Sequence, residues 1–171
     1  MKAAVMPSGL DLTSLIRQHQ SAVWRYLRVL GCDASLADDL TQETFLSVLE
    51  RPFEDYHPTA TAKYLRTVAR NLFISLQRRH GRDVSLEDLD QLDADWARLA
   101  SDGGQQLLEA LQHCFQALDD KPRQALELRF KSQSSRAEIA GTLGMTEDGA
   151  KNLMQRAKKR LRACIERRLQ G

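Results

Sequence analysis

The sequence is short of several things, and each shortage excludes a class of protein. Aromatic residues make up 6% of the 171, and glycine occurs nine times. A large β-barrel or β-sandwich is not expected from such a composition. No stretch approaches the roughly 20 consecutive apolar residues of a bilayer-spanning helix, so no membrane insertion is expected. Residues 1–10 hold one lysine and no long apolar run, which is not the pattern of a secretory signal. Cysteine occurs three times, at Cys32, Cys114 and Cys164. Such an odd, widely spaced set does not predict a disulfide framework, and a reducing cytoplasm is its natural setting. Net charge is also nearly missing, at +2. Taken whole, that value argues against a nucleic-acid binder.

What is present refines the picture. Hydrophobic residues at 42% are enough for packed cores, and charged residues at 28% suit a solvated helical surface. The length suits one ordinary domain or two small ones. Charge is distributed in blocks. Residues 63–82 hold six basic residues and no acid. Residues 121–171 hold thirteen basic and five acidic residues. Between them, residues 83–104 hold seven acids and one arginine, and residues 33–55 show the same seven-to-one excess. Basic blocks suit phosphate backbones, and acidic blocks suit basic partners. The plain alternative for any single block is a solvated helix face.

Periodicity predicts helices throughout, and no strand alternation or internal repeat is visible. A helix over 12–30 ends at Gly31. A second runs over 36–50, with Ser35 as cap and Pro52 as stop. Residues 52–61 read as a loop, and a third helix spans 62–79. Residues 83–104 read as an acidic linker with one short helix near 95–100. Helices then follow over 107–118, from Pro122 to about 130, over 136–143 and over 147–168. The expected fold is all-α: two small helical domains, 10–82 and 105–171, joined by an acidic flexible linker over 83–104. The second domain contains a helix-turn-helix.

The helix-turn-helix has the sharpest spacing. Ser135 caps its first helix, which turns Ile139, Ala140 and Leu143 inward. Gly144 permits the turn, and Thr146 caps the second helix. Ala150, Leu153, Met154, Ala157, Leu161 and Ile165 share one face. Lys151, Asn152, Gln155, Arg156, Lys159 and Arg162 share the opposite one. In a major groove, Asn and Gln can meet base edges, and Arg and Lys can meet guanines or phosphates. A basic solvated helix closing an ordinary bundle is the alternative.

Two further helices have divided faces. Over 36–50, Leu36, Ala37, Leu40, Phe45 and Val48 cover one arc. Asp38, Asp39, Gln42 and Glu43 cover the other, with Leu46 exposed among them. An apolar residue inside an acidic stripe suits docking to a basic partner; acids favoured by a helix N-terminus are the alternative. Over 62–79, Lys63, Arg66, Thr67, Arg70, Asn71 and Arg78 lie opposite the apolar stripe, with Arg79 and Arg82 extending the block. Tyr64 and Tyr56 stand beside it. Aromatic and basic side chains together suit unstacked bases of a single strand; partial core packing is the alternative for each tyrosine. No pair of carboxylates with histidine, and no metal-ligand spacing, supports an enzyme, a metal or a cofactor. His113 and Cys114 adjoin with no second pair.

Asp39-Leu-Thr-Gln-Glu-Thr-Phe45, Tyr64-Leu-Arg-Thr-Val-Ala-Arg-Asn-Leu72 followed by Arg78-Arg79, and the helix-turn-helix occur in an informative order. Together they resemble the bacterial RNA polymerase sigma factors of the extracytoplasmic-function group. The resemblance covers most of the chain. It implies a subunit, not an enzyme, that binds polymerase core and directs promoter recognition, promoter melting and transcription initiation. Asp38, Asp39, Gln42, Glu43, Phe45 and Leu46 would dock on the β′ clamp, and the β flap is a further part of the polymerase core that the chain would meet. Lys63, Tyr64, Arg66, Thr67, Arg70, Asn71, Arg78 and Arg79, with the 52–61 loop, would engage the minus-ten element and its melted non-template strand. Arg136, Thr146, Lys151, Asn152, Gln155, Arg156 and Lys159 would read the minus-thirty-five element as duplex DNA. The acidic linker would thread towards the polymerase cleft. An anti-sigma factor is a further partner that the resemblance allows, and no C-terminal regulatory domain is expected. Tyr64 stands where tryptophan is usual, Ser75 where aspartate is common, Gly149-Ala150 where a β-branched pair is usual, and Leu153 where a basic residue is common. These departures bear on which promoter is read. A free-standing helix-turn-helix regulator with a sensing or dimerising N-terminal half is the competing class, and it leaves the 38–45 motif unexplained. The alternating blocks also lead us to expect that acidic segments oppose the basic ones in the isolated chain.

Overall fold

The computed structural model describes residues 11–50 and 57–171. Expectations for residues 1–10, for Pro52 as a helix stop and for Tyr56 lie outside those residues. Eight helices and no strand are found among the described residues: α1 (Leu12–Val29), α2 (Ala34–Glu50), α3 (Pro58–Arg79), α4 (Leu86–Leu99), α5 (Gln105–Gln116), α6 (Asp120–Phe130), α7 (Arg136–Leu143) and α8 (Glu147–Gln170). The all-α expectation holds.

Local chemistry sets most of the helix ends. Asp11 accepts the backbone N–H of Thr13 and starts α1. Asp33, rather than the expected Ser35, caps α2, accepting from Leu36 N at 2.8 Å. α3 begins four residues earlier than predicted, so 58–61 is helix and not loop. His57 Nδ1 accepts from Thr59 N at 3.1 Å, and Pro58 supplies a pre-set φ in the first turn. α1, α2 and α3 pack around Leu15, Val23, Leu27, Leu40, Val48, Leu65, Ala69 and Phe73, all buried. Each large apolar side chain fully buried in this way stabilises the fold by about 1.5–3 kcal/mol.

The acidic segment corrects the sequence reading. It is not a flexible linker with one short helix over 95–100, but a 14-residue helix, α4, packed on its neighbours. Ser85 accepts from Asp88 N at 3.2 Å, and Glu87 and Asp88 occupy the first turn, where the helix dipole favours acids. Leu89 and Trp96 are buried. Trp96 meets Tyr26 edge-on, with ring centroids 5.4 Å apart. Gly104 has φ +89°, and a Cβ there would stand 2.2 Å from the Trp96 ring. The Gly-Gly pair is therefore the place where α5 starts hard against the α4 indole.

α5–α8 form the second helical unit. Leu118, Leu126, Ile139, Ala140, Ala150, Met154 and Ala157 make its core. The two units also share apolar contacts, because Leu107, Ala110, Cys114 and Ile165 are continuous with the α1–α4 core. The turn after α1 touches α6 so closely that a Cβ on Gly31 would lie 2.4 Å from the Phe130 carbonyl oxygen. The cysteines supply a second correction. Cys114 of α5 and Cys164 of α8 form a disulfide across a 50-residue separation, while Cys32 is a buried free thiol. The pairing was hidden because α5 and α8 become neighbours only after the chain between them folds.

Candidate nucleic-acid interface

α8 is built from its N-terminus. Gly144 takes the left-handed conformation (φ +65°) that ends α7. Thr146 Oγ1 then accepts from Gly149 N at 3.0 Å. A Cβ on Gly149 would come within 3.1 Å of that oxygen, so glycine lets the cap close tightly. Ala150, Met154 and Ala157 are buried, which turns Lys151, Asn152, Gln155, Arg156 and Lys159 to solvent. None of these five is held by an ion pair among the described residues. Arg136 opens α7 and is also exposed. On the side of α8 towards α4 the cations are held: Lys158 pairs with Asp88 at 3.0 Å, and Arg162 with Asp95 at 3.2 Å.

α3 divides along its length. Lys63, Thr67, Asn71, Arg78 and Arg79 are exposed, and the Thr67 hydroxyl donates to the Lys63 carbonyl at 3.0 Å. Tyr64 is half-buried against the core. Arg66 and Arg70 face α4 instead of solvent. The Arg66 guanidinium lies over the Trp96 ring, 6.0 Å from its centroid. Burial lowers the Arg66 pKa. Arg70 is bound to Asp93 and, at 2.8 Å, to Asp90. Burial opposes the Arg70 charge, but its hydrogen bonds to Asp90 and Asp93 outweigh that cost and raise its pKa. Tyr26 completes the cluster by donating to Asp93 at 2.5 Å, and burial first, then that bond, raises its pKa.

α2 presents Asp38, Asp39, Gln42, Glu43 and Leu46 outward, with Leu46 58% exposed. Phe45 does not belong to this face. At 6% exposed it packs into the core and borders the groove between α1 and α2 from within. The sequence reading missed Trp24 of α1, whose Nε1 donates to Asp38 at 2.8 Å. Ile16, Trp24, Leu46 and Leu49 line a groove between α1 and α2 beside the acids. The signal for it was the half-exposed apolar edge of α1.

Comparison with known proteins follows the same division. The model of Sigma-70 region 2 matches residues 15–83, and that of Sigma-70, region 4 matches residues 108–161. The ECF RNA polymerase sigma factor SigM of Bacillus subtilis is 27% identical over 160 residues, covering 92% of this chain and 97% of the relative. SigE of Mycolicibacterium smegmatis is 32% identical over 171 residues, covering 93% of this chain and 62% of the relative. EcfG of Rhodopseudomonas palustris is 32% identical over 165 residues, covering 91% and 88% respectively.

Proposed function

We propose roles for individual residues from one premise: the chain belongs to the extracytoplasmic-function RNA polymerase sigma factors. It binds polymerase core and directs promoter recognition and transcription initiation. Within that activity, the exposed face of α8 reads the minus-thirty-five element. Asn152 and Gln155 offer amide groups to base edges, and Arg156 offers a bidentate donor pair suited to guanine. Lys151, Lys159 and Arg136 meet phosphates, fixing register without reading sequence. Thr146 acts through its cap, holding the first turn of α8 at the angle the groove requires.

On α3, Lys63, Thr67, Asn71, Arg78 and Arg79 line the path of the minus-ten strand. Tyr64 supports that path from the core side, and Arg66 and Arg70 join it once α4 moves away. A single strand suits such a face, because its basic residues can follow a strand's backbone. The acidic face of α2, with Leu46 at its centre and the Trp24 groove beside it, docks on the β′ clamp. Leu46 supplies apolar area, and Asp39 and Glu43 steer a basic partner. The second unit meets the β flap. The chain is an initiation factor without catalytic chemistry of its own, and it works in the cytoplasm, where polymerase is. A protein that clamps both helical units, an anti-sigma factor, is the partner proposed for its control.

The observation that carries this reading is the α8 face: five polar or basic residues, exposed together behind a formed cap and turn. Footprinting of the reconstituted holoenzyme on a promoter selected from random DNA tests it. Arg156→Ala or Gln155→Ala should weaken upstream protection by roughly 1–3 kcal/mol if a base contact is lost. Unchanged protection would remove α8 as the reader. Asp39→Lys with Glu43→Lys should weaken core binding without unfolding the chain. Unaltered core affinity would remove the α2 assignment.

A further inference from the structure

α4 is unusual in what it touches. Four of its carboxylates face cations on two different helices. Asp90 and Asp93 hold Arg70 of α3; Asp88 holds Lys158 and Asp95 holds Arg162, both of α8. Arg98 returns the contact by pairing with Glu166 of α8 at 2.7 Å. The apolar side of the same helix is anchored, with Trp96 buried between Tyr26, Arg66 and the Gly104 turn. The acids are thus presented at fixed positions, as a phosphate backbone would present its oxygens. The cations they hold adjoin the DNA faces without being the base readers. Arg70 lies one residue before Asn71, and Lys158 and Arg162 lie just beyond Arg156.

We propose that α4 is a latch. In the free chain its carboxylates occupy Arg70, Lys158 and Arg162 in place of DNA phosphates, and they tie α3 to α8 until the chain opens. This rests on the reading of α3 and α8 as DNA-facing helices. Phosphate contacts supply most of the affinity for DNA, and base contacts supply the choice of sequence. A closed chain therefore keeps its reading face and the phosphate contacts of Arg136, Lys151 and Lys159 exposed, while the further grip of Arg70, Lys158 and Arg162 is withheld. Part of the balance behind the +2 net charge is made here, because Asp88, Asp90, Asp93 and Asp95 are folded against cations of the basic blocks. Each ion pair is half-exposed and weak alone. The latch depends on their arrangement around one buried indole.

The experiment uses the full chain without polymerase and two isosteric variants. Asp90→Asn/Asp93→Asn releases the α3 side, and asparagine can still accept from Tyr26. Asp88→Asn/Asp95→Asn releases the α8 side. A control, Asp83→Asn/Glu87→Gln, removes two negative charges at the start of α4 that no ion pair uses among the described residues. The probes are a fluorescent single strand and a duplex of generic sequence, read by anisotropy across a salt series. Small-angle scattering reads the opening. The wild-type chain should show the compact radius of gyration of about 15–16 Å expected for its length.

The combined four-site variant should expand and bind duplex roughly tenfold more tightly at low salt. Its salt slope should steepen by about 0.9 for each additional phosphate it neutralises on duplex, and by about 0.7 on the single strand. If the control binds DNA as tightly as either test variant, general repulsion explains the result and the latch is overturned. Unchanged compactness with unchanged affinity overturns it equally. Expansion without any rise in DNA affinity would refute the DNA-facing reading of α3 and α8, while leaving α4 as the tie between them.

Discussion

α3 and α8 are both basic amphipathic helices, yet α4 treats them differently. On α3 the tie falls in the middle of the DNA-facing stretch, at Arg66 and Arg70. On α8 it falls after the reading face, at Lys158 and Arg162, so Lys151 to Arg156 stay open. The difference has a physical source. The first turns of α8 are held by their own cap, by Gly144 and by a small local core. The exposure of Arg66 and Arg70 depends on a helix that begins after α3 has ended. A local motif secures its own geometry, whereas a cation beside a packed helix takes whatever charge that helix brings.

Four measurements put this contrast at risk, in descending order of expected effect. The chain-entropy relation for the 50-residue separation gives the Cys114–Cys164 bond about 4 kcal/mol. Thermal unfolding with and without reductant should show that loss in the α5–α8 unit. Superimposable curves would mean that the bond does not hold α8. Trp96→Ala removes the anchor of α4 and should cost about 3–5 kcal/mol in urea unfolding, loosening both helices together. A loss below about 1 kcal/mol would mean that α4 is a tether rather than a packed helix. Thr146→Ala should cost about 1 kcal/mol, with faster amide exchange confined to the first turn of α8. Faster exchange in α3 as well would deny the independence of α8.

The smallest effect concerns Cys32, behind the Gly31 turn that abuts Phe130. Burial, with Asp33 adding, pushes its thiol up to about 12, while Arg28 and a backbone hydrogen bond pull the other way. The thiol is neutral below that value and reactive only as thiolate. Native Cys32 should therefore resist alkylation at pH 8 and become reactive only as the pH climbs towards 12. Rapid labelling at pH 8 would mean that the α1–α2 turn separates readily from α6.

Much of the fold was legible in the sequence where the signal was local. Ser135, Gly144 and Thr146 mark the α7–α8 turn because caps and left-handed glycines act over three or four residues. The apolar stripes of α1, α3 and α8 repeat over several turns. The cap of α2 was misplaced because Asp33 and Ser35 are both good capping residues two positions apart, and only the backbone path distinguishes them. α4 was misjudged because seven acids and a closing Gly-Gly suggested a linker. Leu89, Leu92, Trp96 and Leu99 nevertheless recur at helical spacing. Phe45 sat in an acidic motif, yet its apolar size sent it inward.

Local patterns of residues were enough for the family, the all-α class, the helix-turn-helix and the candidate faces on α2, α3 and α8. Those features rest on period, capping and residue chemistry, all read within a few turns. Which cations remain available, which cysteines pair and how the acidic block is used depended on the packing of distant helices. Those are distances between residues dozens of positions apart, and no local pattern encodes them. The near-zero net charge belongs to both levels. Its value is a matter of composition, and part of its meaning comes from α4 lying against Arg70, Lys158 and Arg162 of the basic helices.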